Sequence, residues 1–181
     1  LLPLVTNAHD FEVDGIYYNI TSEADKTARV TYKGDQFDSY TGEYSGIITL
    51  PATVTHNGVE YSVTSIGNDA FYRCSSLTTI NVPEGVTSIG DYAFYGCGSL
   101  TAITIPESVT SIGDYAFHGC SSLAAINVPE GVASIGERAF QYCRSLTAIT
   151  IPENSQLTSI GDYAFHDCSG LTAITLPENS K

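Results

Sequence analysis

The chain is poor in cations. It has 7 lysines and arginines against 20 aspartates and glutamates, a formal net charge of −13 over 181 residues. Nucleic-acid affinity rests on cations that neutralise phosphates, and anionic membrane surfaces need the same basic clusters. No run of Lys or Arg exists, so neither partner is expected. No apolar stretch approaches the ~20 residues of a membrane span, so direct membrane insertion of this chain is not expected. Cys-x2–4-Cys pairs, the usual mark of a structural zinc site, do not occur. Gly-x-Ser-x-Gly, His-Glu-x-x-His and P-loop motifs are also missing, and with them the common routes to catalysis. Methionine is absent as well, and the chain opens at Leu1. Residues 1–8 read either as the tail of a signal peptide cleaved after Ala8 or as an ordinary leader strand.

What the sequence does contain is repetition. Cysteines fall at 74, 97, 120, 143 and 168, with spacings of 23, 23, 23 and 25. Phe71, Phe94, Phe117, Phe140 and Phe165 keep step, as do Ile-Gly pairs beginning at Ile66, Ile89, Ile112, Ile135 and Ile160. Pro83, Pro106, Pro129, Pro152 and Pro177 complete the pattern. Such a fixed period marks a solenoid, in which each unit stacks on the next because it cannot bury its apolar face alone.

Within one unit the spacing predicts the local structure. Leu77, Ile80 and Val82 fit a short strand with apolar residues facing in, and Pro83 ends its hydrogen bonding. Val86 and Ile89 belong to a second short extended piece. Gly90 then turns the chain, and Asp91 is expected to N-cap a helical turn that brings Ala93, Phe94 and Cys97 to the core. The two extra residues of the last full unit fall at 154–156, in a loop where insertion costs little.

Residues 9–46 carry no repeat. Asp14-Gly15 between Phe11 and Ile20 predicts a hairpin, and residues 28–32 alternate like a further strand. The first repeat starts near Ile47 and holds a 9-residue insertion, since Pro51 to Pro83 spans 32 positions. Asn57-Gly58 places a second hairpin inside it. A solenoid needs its first coil covered, so residues 9–46 are expected to form an N-terminal antiparallel β cap on repeats at 47–181. A last strand is expected at Thr172–Leu176, with the repeats truncated or uncapped beyond it.

The recurring pattern C-x-x-L-x-x-I-x-(V/I/L)-P-x-x-V-x-x-I-x-x-x-A-F resembles the BspA-like, treponemal-type leucine-rich repeat over roughly residues 47–181. Residues 10–18 resemble the segment that often precedes such repeats in secreted gut bacterial proteins. The resemblance implies a right-handed leucine-rich-repeat solenoid and an extracellular or bacterial cell-surface location. In some members it implies adhesion to host matrix proteins or other bacteria. It names no single ligand, and fold alone does not give function.

The outward strand positions Thr49, Asn81, Thr104, Asn127, Thr150 and Thr175 are expected to align as a small, uncharged polar strip roughly 25 Å long. The strip could dock a protein segment or a glycan. Equally, Thr and Asn suit a pleated, half-exposed sheet. Tyr92, Tyr115 and Tyr163 form a broken row on the opposite arc, as core rim or as a second surface. The cysteines read as a buried ladder of small hydrophobes. Position 72 of the unit holds Tyr72, Tyr95, His118, Gln141 and His166 in successive coils, a tolerant position rather than a Cys/His catalytic pair. The acidic rows Glu84, Glu107, Glu130, Glu153 and Glu178, and Asp91, Asp114, Glu137 and Asp162, read as solvated edges. Calcium would need 6–8 oxygens around one ion. No catalytic residue, cofactor or metal site follows from the sequence. The expected role is a binding or adhesion module for a protein, either host matrix or another bacterial surface protein. A structural spacer or a glycan-binding accessory is the alternative.

Overall fold

A computed structural model describes residues 9–34, 38 and 42–174. Residues 1–8, Thr175 and Glu178 lie outside them, as does the end of the strand expected at Thr172–Leu176. In chain order the described strands begin with β1 (Phe11–Val13), β2 (Ile16–Ser22), β3 (Thr27–Thr31), β4 (Ser45–Thr49), β5 (Thr53–His56), β6 (Val59–Ile66) and β7 (Ser76–Asn81). The repeats continue with β8 (Ser88–Ile89), β9 (Ala102–Thr104), β10 (Ser111–Ile112), β11 (Ala125–Asn127), β12 (Ser134–Ile135), β13 (Ala148–Thr150) and β14 (Ser159–Ile160).

The two hairpins form where turn chemistry allows them. Asp14 and Gly15 have φ of 50° and 79°, and Asn57 and Gly58 have 50° and 77°. These paired left-handed residues match the twist of the flanking strands, β1–β2 and β5–β6. One long sheet runs β1-β2-β3-β6-β8-β10-β12-β14, with β5 added at β6. From β3 onward its path is parallel, and the register repeats coil by coil: Ser88, Ser111, Ser134 and Ser159 pair in sequence, as do the isoleucines that follow them. The opposite side carries β4-β7-β9 and, separately, β11-β13, also parallel.

The core between these sides is a set of straight columns. Leu77, Leu100, Leu123 and Leu146 are fully buried, as are Val86, Val109 and Val132. Phe71, Phe94, Phe117, Phe140 and Phe165 stack with ring centroids 5.0, 5.1, 5.1 and 5.5 Å apart and planes within 8° of parallel. Tyr44, just before β4, closes the column with its ring tilted on Phe71 at 4.8 Å. The invariance of glycine after each isoleucine follows from how closely the coils approach there. A β-carbon on Gly113 would come within 2.7 Å of backbone atoms of Gly90 and Asp91 in the coil before.

The arc from Asp91 to Gly96 departs from the expected helical turn. Alternate residues bond in two directions. Ala93, Tyr95 and Cys97 donate back three residues within the coil, while Tyr92, Phe94 and Gly96 donate to Asp114, Ala116 and His118 of the next coil. Left-handed φ at Tyr92 (56°) and Gly96 (71°) interrupts any helical succession. There is no helix among the described residues. Asp91 does not cap its own arc either: its Oδ1 accepts the Asp114 N–H at 2.9 Å, as Asn68 serves Asp91 and Asp114 serves Glu137. A carboxylate or amide from each coil thus holds the amide of the one after it.

Threonines add a second set of inter-coil bonds. Thr78 and Thr101 donate from Oγ1 to the carbonyls of Gly46 and Thr78, and Thr147 donates to Ala124. Across the molecule Thr87, Thr110 and Thr158 do the same. The coil from Cys120 to Tyr142 holds Ala124 and Ala133 at both positions. Among the described residues, the backbone bond from Ala124 to Thr101 is also missing, and β9 and β11 fall in different sheets at this coil.

Candidate binding surfaces

Two faces of the rod present side chains in rows. On the β4–β13 side, Thr49 pairs with Asn81 and Asn81 with Thr104, while Asn127 pairs with Thr150. All five are exposed, and Asn81 Nδ2 donates to Thr49 Oγ1 at 3.1 Å. Two residues earlier in each strand, a second outward column runs Ile47, Thr79, Ala102, Ala125 and Ala148. Ile47 is 70% exposed. Apart from Ile47, these two columns are therefore small in side chain, and they carry no charge. Thr175, the sixth residue expected in the strip, is outside the described residues.

The arc side is built differently. Tyr72 stacks on Tyr95 at 5.1 Å, and Tyr95 on His118 at 4.5 Å, with planes 13° and 4° apart. Beside them Tyr92 stacks on Tyr115 at 4.7 Å. Arg138 continues that column. Its guanidinium lies 5.5 and 5.2 Å from the ring centroids of Tyr115 and Tyr163, donates to the Tyr115 hydroxyl and pairs with Glu137 at 3.2 Å. The row of tyrosines that the sequence shows as broken is thus continuous, with an arginine filling the gap. Tyr92, Tyr115, Arg138 and Tyr163 all have φ between 52° and 59°. Such a backbone is uncommon for bulky residues and costs about 1–2 kcal/mol each. The inter-coil bonds of the arc impose it.

The second aromatic column escaped sequence reasoning, although the 23-residue spacing of Tyr72, Tyr95 and His118 was its signal. Burial, with help from the charge of Arg138, lowers the His118 pKa and favours its neutral form. A shallow cleft of about 410 Å3 opens where the arc gives way to β7, lined among the described residues by Gly42, Arg73, Ser75 and Gly96. Nothing in the repeat spacing announces it.

The remaining candidates have structural work to do. Cys97, Cys120, Cys143 and Cys168 are buried free thiols that donate to the carbonyls of Phe71, Phe94, Phe117 and Phe140 at 3.0–3.2 Å. Burial pushes the Cys74 thiol up to about 11 and raises the Cys97 and Cys120 thiols well above their ordinary value, which keeps these three protonated and weakly nucleophilic. Glu84, Glu107, Glu130 and Glu153 stand exposed along one edge. Among the described residues, no group of three or more His, Cys, Asp or Glu could hold a metal ion. No helix among them is long and apolar enough to cross a membrane.

The family model described as the BspA type leucine rich repeat region matches residues 52–156 and 135–181, in six copies. A leucine-rich repeat protein of Bacteroides ovatus is 31% identical, with a TM-score of 0.73 over 96% of this chain and 49% of that one. A Treponema pallidum leucine-rich repeat protein is 29% identical, with a TM-score of 0.76 over 92% of this chain and 71% of that one. A leucine-rich cell surface protein of Faecalibacterium prausnitzii is 30% identical, with a TM-score of 0.63 over 91% and 54%. This chain spans about half the length of the Bacteroides ovatus protein. No curated protein matches it.

Proposed function

The chain belongs to the BspA-type leucine-rich repeat family, and from that membership we propose that it is a binding module displayed at a bacterial cell surface. It engages a partner protein, of host matrix or of another bacterium, through the outward face of β4, β7, β9, β11 and β13. In this reading the repeats at 47–181 supply the surface and residues 9–46 cover the first coil. The surface location draws on the Faecalibacterium prausnitzii protein, itself described as a cell surface protein.

One observation carries the choice of face. In a chain of net charge −13, the paired columns from Ile47 to Ala148 and from Thr49 to Thr150 hold no charged side chain. Burying them against a partner strips no ion of its water, and the fully buried centres of interfaces are depleted of charge for that reason. Small side chains also let a partner's backbone come close over a stretch of about 20 Å.

The test is a panel of immobilised matrix proteins, bacterial surface proteins and glycans, probed with the intact chain and with Thr104→Glu/Asn127→Glu/Thr150→Glu. The expected result is binding to a protein ligand that falls at least about tenfold in the triple variant, with the fold unchanged by circular dichroism. Undiminished binding in the variant would refute the face. Glycan binding alone, or silence across the panel, would refute the protein partner and leave a glycan-binding or spacer role.

A further inference from the structure

The cleft lined, among the described residues, by Gly42, Arg73, Ser75 and Gly96 sits where the end of the arc gives way to β7. Among the described residues Arg73 is the one that brings charge to its lining. The guanidinium carbon lies 5.3 Å from the centroid of the Tyr72 ring, the side chain is exposed, and among the described residues it has no ion-pair partner. Arg29 and Arg144 share that state among the described residues, but neither is among the residues lining this cleft. Lys26 and Arg138 each sit beside a glutamate. Arg73 keeps its donors unspent.

The neighbours of Arg73 keep room around it. Gly96 occupies the equivalent position one coil on, with a left-handed φ of 71°. A β-carbon there would come 3.3 Å from Arg73 Cγ, against the stem of the arginine. Two coils beyond Gly96 the same position is Tyr142, then Asp167. Backbone amides around the cleft are committed: Arg73 N donates to Tyr95 O, Ser75 N to Arg73 O and Gly96 N to His118 O. An extended peptide therefore finds no free strand edge to pair with. Among the described residues the lining also offers no apolar side chain that could anchor a peptide. What remains on offer is a planar guanidinium fork, the Ser75 hydroxyl and space of a volume typical of small-molecule clefts.

We propose that this cleft binds the carboxylate of an acidic saccharide, with Arg73 clasping the carboxylate through two N–H donors and Ser75 meeting a sugar hydroxyl. The fork geometry of arginine matches a carboxylate in two parallel hydrogen bonds, which lysine cannot reproduce. A neutral sugar leaves the guanidinium without its partner. An oligoglutamate carries the charge but not the ring hydroxyls.

Calorimetric titration of the intact chain at low salt tests this, with trigalacturonate, a neutral galactose trimer and triglutamate as probes. The expected result is binding of trigalacturonate that weakens about tenfold or more in Arg73→Gln and severalfold in Arg73→Lys, and that falls with added salt. Neither the neutral trimer nor triglutamate should bind comparably. Gly96→Ala, which crowds the arginine stem, should also weaken the complex. Equal binding in Arg73→Gln, equal binding of triglutamate, or no binding of trigalacturonate would each overturn the proposal. The triple glutamate variant of the strand face should bind trigalacturonate normally, and Arg73→Gln should keep any strand-face ligand, so the two readings fail separately.

Discussion

Replacing Phe117 by alanine tests the column packing most directly. Its ring is fully buried and stacks on Phe94 and Phe140, both at 5.1 Å. Burial of a phenylalanine is worth about 1.5–3 kcal/mol, and each stacked pair adds about 0.5–1.5 kcal/mol. The sum, about 4 kcal/mol, agrees with the 3–5 kcal/mol usual for Phe→Ala in a core. Phe165 stacks on one described ring and is only partly buried, so its replacement should cost about 2 kcal/mol on the same reckoning. Urea titration followed by circular dichroism separates the two. With a slope of about 2 kcal/mol/M, Phe117→Ala should lower the midpoint by about 2 M and Phe165→Ala by about 1 M. Phe117→Leu, which keeps most of the volume but not the stacking, should fall between wild type and Phe117→Ala. Equal losses at 117 and 165, or a loss at 117 below about 1 kcal/mol, would refute the idea that both neighbouring coils support each ring.

Two further outcomes follow from the inter-coil bonds and from the acids on the arc. Ala124→Thr should restore an Oγ1 bond to the Thr101 carbonyl and raise stability by about 1 kcal/mol in urea titration; hydrogen exchange should slow around residues 101–127, and unchanged exchange there would count against a weak seam. Asp69 has its carboxyl pushed up to about 6, by burial first and by the charge of Asp91 second, from an ordinary value of 3.8. A group raised on folding contributes stability that is fully present below about pH 4 and lost as the pH rises through about 6. Asp69→Asn keeps a residue tolerant of its left-handed φ of 59°. It should therefore stabilise at pH 7.5 by on the order of 1 kcal/mol, after allowance for partial solvation, and remove the wild type's excess loss between pH 4 and 6 in paired thermal melts.

The repeat was legible because one period governs everything that faces inward. Phe, Leu, Ile, Val and Cys recur every 23 residues, or 25 in the last full unit, and they form columns because stacking is the way such short coils bury them. The turn dipeptides Asp14-Gly15 and Asn57-Gly58 announced their hairpins for an equally local reason. The arc was misread since Gly-Asp-Tyr-Ala-Phe satisfies the local rules for capping a helical turn, while the competing bonds come from a coil 23 residues away. Asp91 looks like a cap for its own arc and in fact serves Asp114. The outward strand column was legible from strand alternation. The cleft at Arg73 was not, because it depends on a single arginine meeting a glycine one coil on and Gly42 from outside the repeat.

The in-register carbonyls and amides have an implication for how such rods vary over time. Because the arc and the β8–β14 side of each coil from Asp91 onward hand the same backbone donors and acceptors to the next coil, one module can be copied or deleted in frame without disturbing those joins. Each such event would change the length of the rod by about 4.8 Å. Reach can thus be tuned by unequal recombination alone, while the singular features at Arg73 and Ala124 stay where they are.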